Sequence, residues 1–163
     1  MPIVLLRVDE RLIHGQVVVG WGNTLHPERI AVVDDDLADS PWEQELYALG
    51  LPPEVQADFH TVDAARALVA GWQASEARIV VLTRTVAAMR RLAANGLLDG
   101  AEVNIGGLHH APGRREVLPY VYLSNDERDA MRQLAAEGVE VSARDVPGAR
   151  RVDLAHLLAE PGS

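Results

Sequence analysis

Seven short strand-like runs alternate with helix-patterned segments along 163 residues, and the first run is apolar on both faces. Those observations predict a single-domain α/β fold: a mainly parallel β-sheet of about seven strands with helices on both faces. The runs are Ile3–Val8, Arg29–Val33, Val55–His60, Arg78–Leu82, Glu102–Ile105, Val117–Leu123 and Val139–Ala143. A first helix is expected across the segment that holds Gly20-Trp21-Gly22. The next starts at Ser40-Pro41-Trp42-Glu43, which offers an N-cap serine, proline at the first helical position and a glutamate to close a capping box. Thr61 and Thr85 are expected to cap Val62–Trp72 and Val86–Ala94. Ser124 and Glu127 repeat the capping-box spacing ahead of Met131, Leu134 and Ala135, an i, i+3, i+4 apolar stripe. Gly50, Gly96 and Gly138 stand where those helices should end. Residues 1–159 read as one domain and 160–163 as a frayed tail.

Composition excludes several functions. Net charge is −9 and all 15 basic residues are arginine, so a nucleic-acid or membrane-surface role lacks its basic footprint. Without lysine there is no Schiff base, no Walker lysine and no lysine-dependent receiver chemistry. Without cysteine there is no disulfide, thiolate metal site or thiol nucleophile. No apolar run reaches about 18 residues and no signal peptide is read at the N-terminus, so no membrane insertion is expected and the compartment is expected to be the cytosol.

In such folds ligands bind at the carboxyl ends of the strands, and those loops hold the candidate residues. The first reads Asp9-Glu10-Arg11-Leu12-Ile13-His14-Gly15-Gln16. A helix N-terminus, an arginine fork and a glycine that admits close approach suit a phosphate, and His14 is a nucleophile at neutral pH. Asp9 is placed to hold Arg11 or to accept a proton from the imidazole. A lone loop histidine is, however, more often solvated or a cap. Asp34-Asp35-Asp36 follows the second strand, as a cation site, a helix start, or a border of the first loop that orients Arg11. Thr83-Arg84 is a phosphate contact or a helix start, and His109-His110 after Gly106-Gly107 flanks the site or forms a polar turn. Arg90-Arg91 and Arg114-Arg115 read as solvated pairs, and Trp42, Trp72 and Phe59 as packing residues.

Arg7-Val8-Asp9-Glu10-Arg11-Leu12-Ile13-His14-Gly15-Gln16-Val17 resembles the phosphorylation-site signature of one family. This is the enzyme IIB component of the mannose/fructose/sorbose family of the phosphoenolpyruvate-dependent sugar phosphotransferase system. The likeness continues through Val32-Val33-Asp34-Asp35, Val103–Gly107, Tyr122-Leu123-Ser124, Gly138–Val141 and Arg144–Pro147. It implies an open, mainly parallel sheet and a cytoplasmic phosphocarrier, peripherally associated with the permease. His14 would take a phosphoryl group on Nδ1 from a phosphohistidine on an enzyme IIA and give it to a sugar entering through membrane subunits IIC and IID. Arg11 would clamp the phosphoryl oxygens, with no metal and no cofactor beyond the transient phosphoryl group. Asp34, Thr83 and Gly107 would form the rim. An arginine-bearing docking patch is expected on the acidic surface, from Arg7, Arg11 and Arg84. Two other readings stay open: a regulator switched by phosphorylation of His14 without its own sugar, and an anion-binding domain without chemistry.

Overall fold

A computed structural model describes residues 2–159; the tail expected at 160–163 lies outside them. The strands are β1 (Ile3–Val8), β2 (Arg29–Val33), β3 (Gln56–His60), β4 (Ile79–Thr83), β5 (Glu102–Ile105), β6 (Arg115–Leu118), β7 (Val121–Leu123), β8 (Glu140–Ala143) and β9 (Val152–Asp153). Seven form one sheet in the order β3-β2-β4-β1-β5-β8-β9, parallel except for the β8–β9 pair. The α-helices are α1 (Gly22–Leu25), α2 (Asp35–Ala38), α3 (Pro41–Ala48), α4 (Val62–Ala74), α5 (Val86–Ala93), α6 (Asn125–Ala136) and α7 (Leu154–Leu158).

Alternation along the strands builds two cores. Leu6 and Val8 of β1, Ala31 and Val33 of β2, and Ile79 and Val81 of β4 pack with α4, α5 and α6 on one face. Leu5, Ile30, Val32, Val80 and Leu82 face the other way, onto Leu12, Ile13, Val17, Trp21 and Leu37. Thr61 and Thr85 cap α4 and α5 as expected, and Ser124 and Glu127 close the capping box at α6. Ser40 stands at the α3 N-cap but makes no side-chain bond there. Among the described residues no helix is long and apolar enough to cross a membrane.

Three expectations are corrected. Val117–Leu123 is not a strand of the main sheet: the chain turns at Pro119-Tyr120, and Arg115–Leu118 pairs antiparallel with Val121–Leu123 as a separate hairpin. The seventh strand is instead the two-residue β9, antiparallel to β8. The first helix is a π-helical turn, Gln16–Trp21, running into the four-residue α1.

β1 and β4 lie side by side, yet the segment after β1 packs on one face and α5, after β4, on the other. Their carboxyl ends therefore flank a switch point, and the His14 loop leaves from it.

Candidate active site

Asp9, the first residue beyond β1, is fully buried, as is Arg7 two residues earlier on the same side of the strand. Arg7 donates Nε (3.2 Å) and Nη2 (3.0 Å) to Asp9 Oδ2. Its other donors reach Asn104 Oδ1 (2.5 Å) and the carbonyls of Arg144 (2.9 Å) and Asp145 (3.0 Å). The guanidinium also lies 5.6 Å from the centre of the Trp21 ring. Gly106 makes this burial possible: a Cβ there would come within 2.3–2.6 Å of the Arg7 guanidinium. Arg7 is thus not part of a docking surface, as the sequence suggested; it is an internal counter-ion. Burial lowers its pKa, and Asp9 pulls it back up.

Four groups converge on Asp9 besides its own backbone. Oδ1 accepts the Arg11 N–H (3.0 Å), and Oδ2 accepts Arg7 and the Gly107 N–H (3.3 Å). His14 Nε2 lies 3.0 Å from Oδ2, at ion-pair distance but off the hydrogen-bond axis. Burial alone would raise the carboxyl, but His14 and Arg7 outweigh it and hold Asp9 below the ordinary carboxylate range. A carboxylate beside Nε2 favours the proton there, which leaves the lone pair on Nδ1. Nδ1 makes no hydrogen bond among the described residues, and the side chain is 14% exposed.

The loop holds this geometry by anchoring its apolar residues. Leu12 and Ile13 are buried in the second core, Leu12 at φ 56°, a left-handed conformation that a leucine adopts only when packing fixes it. The His14 carbonyl accepts the N–H groups of both Val17 (3.0 Å) and Val18 (2.9 Å) and so starts the π turn. Gly15 has helical backbone angles and needs no special conformation, but a Cβ there would meet nothing within 4 Å, so the space beside His14 is open. Gln16 is half-buried at the start of the turn.

Arg11 is exposed, and its Nη2 lies 3.0 Å from His109 Nε2. His109 Nδ1 lies 3.2 Å from Glu10 Oε2. The other Glu10 oxygen pairs with Arg114, which forks onto Glu127 at 2.9 and 2.6 Å. Arg114 is therefore no solvated basic residue, and its burial is offset by those two carboxylates, which raise its pKa. The sequence placed His109 beside the site without linking it to Arg11; that contact spans 98 positions and has no local signal.

The remaining residues divide. Thr83 and Gly107 border Asp9 through their backbones: the Thr83 carbonyl accepts the Asp9 N–H (2.9 Å), and the Gly107 carbonyl accepts that of Glu10 (3.0 Å). The Thr83 hydroxyl donates to the Thr85 carbonyl. Arg84 Nη2 reaches the Tyr47 hydroxyl at 3.5 Å, while its buried Nε has no partner among the described residues. Asp34 caps α2 through the Leu37 N–H (2.9 Å). Asp35 accepts the Val62 N–H and pairs with Arg91, both at 2.8 Å. Neither aspartate orients Arg11, whose guanidinium goes to His109 instead. Trp72 packs in the core, but Trp42 stands 66% exposed on α3.

Residues 3–163 match the family model described as the PTS system sorbose subfamily IIB component. The N-acetylgalactosamine-specific phosphotransferase enzyme IIB component 1 of Escherichia coli K12 is 32% identical over 149 residues, which span 90% of this chain and 92% of that protein. Among solved structures, manxB from Thermoanaerobacter tengcongensis superposes with a TM-score of 0.85 at 28% identity, covering 99% of this chain and 97% of that one. The IIBSor domain of the sorbose permease from Klebsiella pneumoniae gives 0.85 at 26% identity, with 96% of each chain covered. With a seven-stranded sheet that superposes on theirs and a family match over nearly its whole length, the chain belongs to the sorbose subfamily of phosphotransferase-system IIB components.

Proposed function

We propose that the chain is a histidine phosphocarrier that works through His14 Nδ1. It takes a phosphoryl group from a phosphohistidine on an enzyme IIA and donates it to a sugar entering through membrane subunits IIC and IID. The observation that carries this reading is the imidazole itself: Nε2 lies 3.0 Å from the buried Asp9 carboxylate, while Nδ1 has no hydrogen-bond partner among the described residues.

The chemistry needs little beyond positioning and charge stabilisation. The Nδ1 lone pair attacks phosphorus in line, and the N–P bond on the donor breaks as the new one forms. Positive charge that develops on the ring is met by Asp9, whose carboxylate is already in place. Negative charge on the equatorial oxygens is met by the planar fork of Arg11. The N–H groups of Gly15 and Gln16, the two residues after His14, have no backbone acceptor among the described residues and are left as further donors. In the second half a sugar hydroxyl attacks, the P–N bond pair returns to Nδ1, and the hydroxyl proton leaves to solvent. The guanidinium supplies the positive charge that a metal ion would otherwise bring to the phosphoryl oxygens, so the reading includes no metal and no bound cofactor.

The test is intact-mass spectrometry at neutral to alkaline pH after incubation with phosphoenolpyruvate and a reconstituted donor chain. One phosphoryl adduct is expected on the wild type, labile in acid and stable in alkali, and none on His14→Ala. Equal labelling of the variant, or no adduct with a donor that labels another IIB component, refutes the reading.

A further inference from the structure

We propose that His109 is a positioning residue for Arg11, holding the guanidinium ready for the phosphoryl group; this rests on the phosphocarrier reading of His14. An exposed arginine has many rotamers, and ordering it during the reaction would subtract from its contribution. Arg11 also follows Glu10, a carboxylate that a free guanidinium would pair with. Both oxygens of that carboxylate are already taken. Oε1 pairs with Arg114, and Oε2 accepts the His109 backbone N–H at 3.3 Å and faces His109 Nδ1 at 3.2 Å.

A carboxylate only accepts, so it fixes the imidazole tautomer: the proton sits on Nδ1 and the lone pair on Nε2. That lone pair faces Arg11 Nη2 at 3.0 Å. One of the five guanidinium N–H groups is used and four remain for phosphoryl oxygens. The support behind His109 is a connected set of hydrogen bonds and ion pairs. Arg114 donates to the His109 carbonyl at 2.7 Å and forks onto Glu127, and Glu127 is itself held in the capping box of α6. Gly107 lets the ring lie close, because a Cβ there would come within 3.2 Å of Nε2. A line of contacts thus runs from α6 to the side chain expected to clamp the phosphoryl group.

Phosphoramidate is a donor that needs no partner protein: its P–N bond breaks with loss of ammonia as the P–Nδ1 bond forms. The rate of adduct formation at His14 would be followed by mass spectrometry in the wild type, His109→Ala, His109→Gln, Arg11→Ala and the double variant His109→Ala/Arg11→Ala. His109 is 41% exposed, so these chains are expected to fold, and thermal melting checks it. His109→Ala should slow labelling by about tenfold, the worth of one hydrogen bond to a charged group. His109→Gln, whose amide oxygen accepts from Arg11, should recover most of the rate. In the Arg11→Ala background the same truncation should change nothing, because the two residues act as a unit. Equal rates in His109→Ala and wild type would overturn the proposal while leaving the phosphocarrier reading intact. So would a tenfold loss that persists without Arg11. A wild type that takes no phosphoryl group at His14 would overturn both.

Discussion

Gly106→Ala should damage the site from beneath, without touching any residue that meets a phosphoryl group. The new methyl would lie 2.3 Å from Arg7 Nη2, 2.4 Å from Cζ and 2.6 Å from Nε, where ordinary contact begins near 3.4 Å. The guanidinium therefore has to retreat by about 1 Å in a close-packed interior. Arg7 is fully buried, and its bonds of 2.5–3.2 Å to Asp9, Asn104 and two carbonyls leave it nowhere to go without breaking some of them. Overpacking costs about 1–3 kcal/mol and each lost hydrogen bond to a charged group about 1.5–3 kcal/mol, so a net loss of about 3 kcal/mol is expected. In a domain of this size that corresponds to a melting temperature lower by roughly 6–12 °C. Asp9 then loses its main counter-ion and His14 its fixed neighbour, so phosphoryl transfer should slow as well. Urea denaturation and the rate of adduct formation at His14 measure the two effects. A variant that unfolds at the wild-type midpoint and transfers at the wild-type rate would refute the argument that Arg7 fixes Asp9.

Two more substitutions separate charge from geometry. Asp9→Asn keeps the shape but removes the carboxylate that faces both Arg7 and His14. It should destabilise the fold by about 3 kcal/mol, as breaking a buried pair does, and slow transfer. It should also change the pH profile. The Asp9 carboxyl titrates below its ordinary value, so its stabilisation is complete above about pH 3.9 and is lost as pH falls through the lower folded-state value. The wild type should therefore lose stability on acidification below pH 4 more steeply than Asp9→Asn, and parallel acid-denaturation curves would contradict this. Arg11→Lys keeps the positive charge but replaces a planar fork with a point charge. Transfer should slow by at least tenfold with the melting temperature unchanged, since the side chain is exposed; wild-type rates would show that Arg11 does not clamp phosphate.

What could be read from the chain depends on how local its cause is. β1 and β2 lie where their apolar runs predict, because burial on both faces leaves a nearly continuous pattern in the residues themselves. The caps at Thr61, Thr85 and Ser124 are equally local, each bonding three residues onward. The hairpin of β6 and β7 reads as one strand in the sequence because its composition shows β-propensity but not pairing, and the turn between them is only Pro119-Tyr120. β9 has two residues and no pattern to read. In the site, His14, Arg11 and Asp9 are legible together because they share one short motif. The burial of Arg7 has no local signal in its partners, which include Asn104 and the carbonyls of Arg144 and Asp145, 97 to 138 positions away. A signal was nevertheless present: a charged residue inside an apolar strand, two before an aspartate, requires either exposure or pairing.

Asp9 joins the fold and the chemistry. The same carboxylate neutralises Arg7 below, ties the Arg11 and Gly107 backbone amides to the strand end, and faces the imidazole above. A buried charge held by that many contacts cannot move when the ring becomes positive during transfer, which is what preorganisation requires. The arrangement predicts an order of effects rather than a single loss. Removing His14 should abolish transfer and cost little stability, because Arg7 and the Arg11 and Gly107 backbone amides still hold the Asp9 carboxylate that the ring faces. Altering Arg11 or His109, on the exposed side, should slow transfer alone. Altering Asp9, Arg7 or Gly106 should reduce transfer and stability together, because for these residues there is no boundary between holding the strand ends and holding the nucleophile. A variant of Asp9 that kept full stability while losing transfer would separate the two roles and show that the fold does not depend on the charge its active site needs.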